Sequence, residues 1–212
     1  MMRALAFGLV AFIAGCTFGG RPSTPLTTYV LTAAAAPATT LPTTGNAMAP
    51  VLKVATPTAA PAYASSRIAY IEQPYRIDYF AENQWADTPA RMLKNLLTQD
   101  LAESGLFRFV HADSGGVDDG LRLDSNIVEL VQTFSPTASE VRVTIRFDLV
   151  DVPHRTVLFS EAIQAIQPTT ARDPYAGVVA ANLAMRQVLD RLRERIRVAL
   201  ASAPSVDTTA SD

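Results

Sequence analysis

Cysteine is almost absent from this sequence, since Cys16 is the only one among 212 residues. Without a second cysteine the chain cannot form an internal disulfide, so the folded part depends on a hydrophobic core for its stability. Beyond residue 15 the chain is long enough to build such a core within one domain.

An excess of basic side chains is also missing. The chain has 18 Lys and Arg residues against 20 Asp and Glu residues, which gives a formal net charge of -2. Surfaces that bind the phosphates of nucleic acid need concentrated Lys and Arg. We therefore expect no nucleic-acid partner.

Catalytic and metal-binding patterns are lacking too. His111 and His154 have no second histidine or cysteine at a metal-ligand spacing, and both are expected to be turn residues. Asp113, Asp118 and Asp119 share one loop, but neither their spacing nor a closing glutamate matches a calcium loop. No nucleophile is paired with a base. The sequence predicts a protein that is not an enzyme, with no catalytic residues, metal site or cofactor.

Long apolar runs are missing as well, but a short one follows Arg3. Roughly ten apolar residues, from Ala4 to Ile13, stand where a transmembrane helix would need about 20. A positive start, an apolar run and then small residues are typical of a signal peptide, which we place at residues 1–15. An ordinary signal sequence cleaved elsewhere, with Cys16 discarded or left free, is the alternative.

The end of the apolar run, Ile13-Ala14-Gly15-Cys16, resembles the bacterial lipobox. The resemblance implies that Cys16 is the lipidation site and new N-terminus, carrying palmitate-type acyl chains as a diacylglycerol. Each buried methylene contributes about 0.8 kcal/mol, so two or three chains anchor stably. Thr17 stands where a sorting aspartate would retain an enterobacterial lipoprotein in the inner membrane. We therefore expect lipid anchoring at the periplasmic face of the envelope, in the outer rather than the inner membrane.

Composition then divides the rest of the chain into three parts. Residues 16–50 are predicted to be the anchor, a short strand at 27–31 and an Ala/Pro/Thr-rich linker. Residues 51–202 are predicted to form the folded domain. The small, polar residues 203–212 are predicted to be a disordered tail.

Alternation and helical spacing predict the elements of that domain. The middle of three long strands is the clearest, with Val141, Val143, Ile145, Phe147 and Leu149 on one face. Pro89 suits a helix start after Thr88, Gly105 suits its end, and Asp173 suits the cap of a long final helix. We predict an α+β domain, a largely antiparallel sheet with two main helices packed on one face. The predicted strands are 51–55, 66–72, 75–81, 106–110, 121–134, 139–152 and 156–166.

Aromatic residues are concentrated just before the first helix, at Tyr75, Tyr79, Phe80 and the only tryptophan, Trp85. One interpretation is packing in the core and at the entry to the helix. The other is that Tyr79, Phe80 and Trp85 include exposed rings that bind a partner, since aromatic residues are enriched where proteins dock.

These residues belong to a longer pattern that resembles the ABC-type transport auxiliary lipoprotein family. The lipobox, the early "YVL" at 29–31 and the terminal "YAGVVAANLAMRQVLDRL" also fit that family, so the resemblance covers nearly all of the chain after residue 15. The matching residues around the first helix are Tyr79, Phe80, Trp85, Pro89, Leu93, Leu97, Leu101, Gly105, Leu106 and Phe107.

The resemblance implies a non-catalytic accessory subunit of an ABC/MCE-type lipid (phospholipid) transport system across the bacterial envelope. Its implied partners are an MCE-domain protein and the ABC permease and ATPase of the same system, with the membrane bound through Cys16. A homo-oligomer is also expected to be possible, because strand edges must be paired or covered. The alternative is a structural or assembly lipoprotein of the outer membrane with no ABC transporter.

Overall fold

The computed structural model describes residues 25–32, 49–112 and 120–202. In this part the chain forms nine strands, a short 3-10 turn at Pro61–Tyr63 and two α-helices, α1 (Pro89–Glu103) and α2 (Pro174–Ser202). The strands are β1 (Thr27–Tyr29), β2 (Val51–Val54), β3 (Thr58–Ala59), β4 (Arg67–Gln73), β5 (Arg76–Trp85), β6 (Phe109–Ala112), β7 (Leu121–Phe134), β8 (Ser139–Asp151) and β9 (Thr156–Pro168).

Strand β7 organises the sheet, because both of its edges are paired. One edge pairs antiparallel with β8 along its whole length, and β8 pairs antiparallel with β9. The other edge pairs in parallel with β2, β3 and β4 in turn. Strand β6 continues the sheet beyond β2, while β5 and then β1 continue it beyond β4. All nine strands therefore form one sheet.

The sheet is mixed, which corrects the expectation of a largely antiparallel one. Hairpins make β4–β5, β7–β8 and β8–β9 antiparallel, but five other pairs are parallel. Those parallel partners are far apart in sequence, as in Leu52 opposite Leu121 and Ala69 opposite Val131. A local residue pattern carries no information about such pairing. The α+β class and the single domain with two helices are confirmed.

The core lies between one face of this sheet and the helices. The alternating residues of β8, Val141 to Leu149, are at most 2% exposed, as predicted. Helix α2 covers β8 and β9, and α1 packs against β2, β6, β7 and α2. The largest fully buried side chains include Phe147 of β8, Leu97 of α1 and Leu192 of α2. One continuous core thus joins both helices to the sheet.

The helix ends agree with the predicted boundaries, with one difference in chemistry. The Asp173 carboxylate accepts a hydrogen bond from the Ala176 amide at 2.8 Å and caps α2. Gly105 follows α1 with a φ of 72°, a left-handed conformation that glycine adopts without steric cost. Thr88 occupies the cap position of α1, but its side chain makes no capping hydrogen bond.

Most predicted strands are confirmed within a few residues. Strand β5 runs to Trp85, beyond its predicted end at 81, and β6 begins at Phe109 rather than at 106. Strand β3 and the 3-10 turn were not predicted, because prolines at 57 and 61 interrupt the pattern there. The strand predicted at 27–31 is present as β1, and Leu31 after it is buried in the core.

Candidate docking surface

The predicted lipidation site lies outside the described residues. So do the predicted signal peptide 1–15, most of the predicted linker and the predicted tail 203–212. Described residues begin at Pro25, and β1 begins at Thr27. Lipidation of Cys16 stays a prediction from the sequence.

Trp85 lies at the end of β5 and is only 3% exposed. Its backbone amide donates a hydrogen bond to Ser66 O at 2.7 Å, and Trp85 lies opposite Tyr29 where β5 pairs with β1. Ile68, Leu130 and Val178 surround the same small cavity of about 10 Å³ as the indole, enough for about one water molecule. In the isolated chain the indole therefore packs in the core, as one of the two interpretations of the aromatic cluster has it.

Tyr79 lies half-buried on β5, on the side of the sheet where the 3-10 turn packs. Its hydroxyl donates to Ala62 O at 3.1 Å, and the Arg67 guanidinium lies 3.8 Å from its ring centroid. These contacts fix the ring between the turn and β4, with part of its surface still accessible.

Phe80 belongs to a second aromatic group, formed with Tyr70 of β4 and Phe134 of β7. Its ring stacks on Tyr70 with centroids 4.5 Å apart and meets Phe134 edge-on at 6.5 Å. The Arg172 guanidinium lies 5.1 Å from the Phe134 centroid and also donates to Ala138 O at 2.8 Å. The structure thus places Tyr79, Phe80 and Trp85 in three environments, and binding of a partner by part of this cluster stays a prediction.

A different apolar surface lies beside β1 and was not predicted from the sequence. We call it the β1–α2 strip, and each of its side chains is between 39% and 64% exposed. Its members are Tyr175, Val179 and Leu183 of α2, with Tyr175 packing beside Tyr29 of β1; Leu26 and Val30 are also exposed, but they alternate with Tyr29 and lie on the opposite face of β1. The three helical residues are spaced four apart, so they lie on one face of α2 next to its buried face. This regular spacing is the feature of the sequence that could have predicted the strip.

Asn182 explains how β1 and α2 are joined in this strip. Its Oδ1 accepts a hydrogen bond from the Thr32 amide at 2.6 Å. Its Nδ2 donates to Val178 O at 3.1 Å and lies 3.4 Å from Val30 O. Tyr29 and Tyr175 also pack with ring centroids 6.3 Å apart. A polar residue on the apolar face of the helix therefore pairs the backbone that follows β1.

The outer edge of β1 completes this surface. Strand β1 pairs with β5 on one side, and within the described ranges no strand pairs with its other side. Unpaired backbone N–H and C=O groups on an edge strand can accept an added strand from a partner. Asn182 already pairs Thr32 N and Val30 O, so the open part of this edge is short and lies at Thr27–Tyr29. The strip combines this short strand edge with exposed apolar side chains, which is the composition of a protein-docking surface.

The β4–β5 turn carries a second exposed aromatic residue. Tyr75 follows Pro74, has a φ of 68° and is fully exposed. A left-handed conformation costs a residue with a side chain roughly 1–2 kcal/mol, and glycine normally occupies it. Arg76 stiffens the turn through Nε to Asp78 Oδ2 at 2.7 Å and Nη1 to Gln73 Oε1 at 3.0 Å.

The opposite face of the sheet is polar. Glu129 Oε2 accepts from the Thr144 hydroxyl at 2.9 Å, and Gln164 Nε2 donates to Thr144 Oγ1 at 3.1 Å. Burial raises the pKa of the nearby Tyr63 hydroxyl above its usual value, and the Glu129 charge raises it further. The side chains of Glu129, Thr144 and Gln164 thus form hydrogen bonds with one another across β7, β8 and β9.

The two histidines lie apart, and only His154 is the turn residue that the sequence predicted, since His111 lies within β6. His154 is in the β8–β9 turn, with Nδ1 2.9 Å from Asp151 Oδ1, and His111 stacks on Phe109 in β6. Asp113, Asp118 and Asp119 lie outside the described residues. Within the described ranges no group of His, Cys, Asp and Glu is placed to hold a metal ion. Nor does either described helix have the length and apolar character needed to span a bilayer.

The family model of the ABC-type transport auxiliary lipoprotein component matches residues 29–197. This chain belongs to that family. The match begins in β1 and ends near the end of α2, so it includes both sides of the β1–α2 strip. The resemblance seen in the sequence is thus confirmed, and with it an auxiliary role in transport and association with the envelope as a lipoprotein.

Solved structures share the fold of this auxiliary lipoprotein. Protein XCC0632 from Xanthomonas campestris superposes with a TM-score of 0.68 at 19% identity, covering 82% of this chain and 97% of that chain. A crystal structure described as an uncharacterized protein gives a TM-score of 0.64 at 13% identity, covering 81% and 99%. No curated protein matches the sequence.

Proposed function

We propose that this chain is a lipid-anchored, non-catalytic accessory subunit of an ABC/MCE-type system that moves lipid across the bacterial envelope. The family match over residues 29–197 is the observation that carries the proposal. Diacylglycerol on Cys16 anchors the chain at the periplasmic face of the outer membrane. The folded domain binds the MCE-domain protein, which connects it to the permease and ATPase.

We propose the β1–α2 strip as the surface that receives the MCE-domain protein. Its occupant is a protein segment, because an open strand edge offers backbone hydrogen bonds that a lipid cannot complete in register. Tyr175 and its apolar neighbours provide the partly exposed aromatic and aliphatic area typical of the centre of an interface. Tyr79 and Phe80 stay candidates for additional contacts, since both are only half-buried.

On this account the domain holds the end of a lipid conduit in place and does not carry lipid itself. The cavity beside Trp85 and Val178 has a volume of about 10 Å³, which is far too small for an acyl chain. A wider groove of about 320 Å³ lies between β9 and α2, and charged side chains such as Glu161, Arg191 and Glu194 line it. On the proposed account lipid passes along the conduit formed by the partner, while this domain fixes one end of that conduit to the membrane. The energy for transport comes from the ATPase.

Binding of strip variants to the purified MCE-domain partner tests this assignment. Val179→Asp and Leu183→Asp place charges on the strip, and each should weaken binding at least tenfold, since hot-spot truncations cost about 2 kcal/mol or more. Val157→Asp on β9 is the matched control, because Val157 is similarly exposed but lies outside the strip. Unchanged binding by both strip variants, with normal circular dichroism, would reject this surface.

A further inference from the structure

The direction of β1 determines which end of the domain faces the anchor. Strand β5 begins at Arg76, directly after the β4–β5 turn, and runs away from it. Strand β1 is parallel to β5, with Thr27 opposite Asn83. The chain that precedes Thr27 therefore leaves the sheet on the side that carries the β4–β5 turn.

The tether is long enough to bring that turn to the membrane surface. From Asn83 back to Arg76 the strand covers about 23 Å at 3.3 Å per residue. Residues 16 to 27, fully extended, reach at most about 36–40 Å. An anchor at Cys16 can thus lie level with the tip of the turn or beyond it.

The chemistry of the tip suits the polar boundary of a bilayer. Tyr75 is fully exposed, and Ile77 next to it is 38% exposed. Tyrosine prefers the membrane interface, because its ring is apolar and its hydroxyl can bond to water or headgroups. The bonds from Arg76 to Asp78 and Gln73 keep the turn in the conformation that presents the ring.

We propose that the β4–β5 turn, with Tyr75 at its tip, inserts into the interfacial region of the membrane that holds the anchor. The inference rests on the lipidated Cys16 of the proposed function. A second contact besides the tether limits the orientations of the domain on the membrane. It turns the tip towards the lipid and the start of β7 away from it.

The charges near the tip predict how insertion of the turn depends on the charge of the lipid. Glu72, Arg76 and Asp78 give the turn a small negative charge, and Arg76 is paired with Asp78 at 2.7 Å. A cluster of basic residues, which would attract anionic lipid, is missing from residues 72–78. Insertion should therefore depend on the aromatic ring and be the same in zwitterionic and in anionic vesicles.

Fluorescence quenching on reconstituted, acylated full-length protein tests the proposal. Tyr75→Trp places a second indole at the tip, and Val157→Trp places one at the opposite end of the sheet, where Val157 is 57% exposed. In phosphatidylcholine vesicles with brominated acyl chains, the indole at 75 should be quenched several-fold more than the one at 157. Wild-type protein supplies the background from the buried Trp85.

Equal quenching at positions 75 and 157 would overturn the proposal, as would quenching at 75 that appears only when phosphatidylglycerol is present. Ile77→Trp is the second probe if Tyr75→Trp does not fold, and it should be quenched likewise. If the fluorescence of the indole at position 75 changes only after the protein partner is added, the turn binds that partner and not the lipid. Flotation of Cys16→Ala with the vesicles separates the two claims, because loss of flotation reports on the anchor alone.

Discussion

At the scale of single residues, Tyr75 and Gly105 occupy the same kind of backbone conformation with opposite consequences. Both have a positive φ, 68° and 72°. Gly105 meets this requirement at no steric cost, and its place after α1 follows from the sequence. Tyr75 meets it at a cost, as does Arg155 in the β8–β9 turn, whose φ is 54°. The retained aromatic ring is consistent with the proposed membrane contact.

Replacing Tyr75 measures how much its left-handed backbone conformation costs the stability of the domain. Tyr75→Gly should raise the free energy of unfolding by about 0.5–1 kcal/mol, because relief of the left-handed strain exceeds the entropy that glycine adds to the unfolded chain. Thermal unfolding should show an increase in Tm of about 1–4 °C for a domain of this size. Tyr75→Ala, which removes the ring but keeps the strain, should give no such gain. A Tm for Tyr75→Gly at or below that of Tyr75→Ala would contradict this account.

At the scale of elements, α2 and β7 approach closely at Gly177. A Cβ atom on this glycine would lie 2.7 Å from Gln132 Cδ. Gln132 is 3% exposed, and its Nε2 donates to Ser139 Oγ and Asp173 O, both at 3.3 Å. Any side chain at 177 must displace this amide from its buried partners. The glycine therefore sets how closely the start of α2 packs on the sheet.

Gly177→Ala should destabilise the domain by about 1–2 kcal/mol. The loss of buried hydrogen bonds, about 1–3 kcal/mol, exceeds the gain of up to about 1 kcal/mol from better helix propensity. Urea unfolding of a double-mutant cycle with Gln132→Ala measures this coupling. In the Gln132→Ala background the same change at 177 should be neutral or stabilising. Equal effects in both backgrounds would show that Gln132 is not the obstacle.

A buried carboxylate joins the two helices. Asp100 of α1 bonds to Arg193 of α2, which also bonds to Asp190. Burial raises the pKa of Asp100 above its ordinary value, the Arg193 charge opposes this, and Asp190 and Glu103 add to the rise. A raised pKa in the folded state means that the native protein binds this proton more tightly. Asp100 therefore contributes stability at low pH that is lost as the pH rises through its folded pKa.

Asp100→Asn should remove this pH dependence. As the pH falls from neutral towards the ordinary aspartate pKa of 3.8, the wild type should gain stability relative to Asp100→Asn. Urea unfolding of both proteins over this range measures the difference. Glu194→Gln is the control, since Glu194 is an exposed carboxylate of α2 that pairs with Arg197 and does not contribute to the shift of the Asp100 pKa. A difference that is constant or reversed with pH would refute the assignment.

At the scale of the whole molecule, the sequence predicted elements better than their arrangement. Strands β7, β8 and β9 alternate clearly and follow one another, so their meander was predictable. The parallel pairs were not, because residues such as Lys53 and Arg122 meet only after the chain has passed through α1. Trp85 left two interpretations open for the same reason, since only the tertiary contacts with Ile68 and Val178 bury it.

The docking surface was missed for a related physical reason. Val178 and Val179 are neighbouring residues of the same type, yet the side chain of Val178 is 6% exposed and that of Val179 is 39% exposed. The first half of α2 is apolar over a wide arc, and its spacing alone does not say which part meets the sheet. The packing of Val178 beside Ile68 and Trp85 decides it, and these residues are far from Val178 in the sequence.

Cross-linking in cells followed by affinity purification and mass spectrometry tests the central claim most directly. The acylated wild-type protein should recover an MCE-domain protein together with ABC subunits, and its N-terminal peptide should carry lipid on Cys16. Leu183→Asp should keep the lipid and lose these partners. A lipidated Cys16 recovered without any transporter component would contradict the accessory role and favour a structural or assembly lipoprotein of the outer membrane.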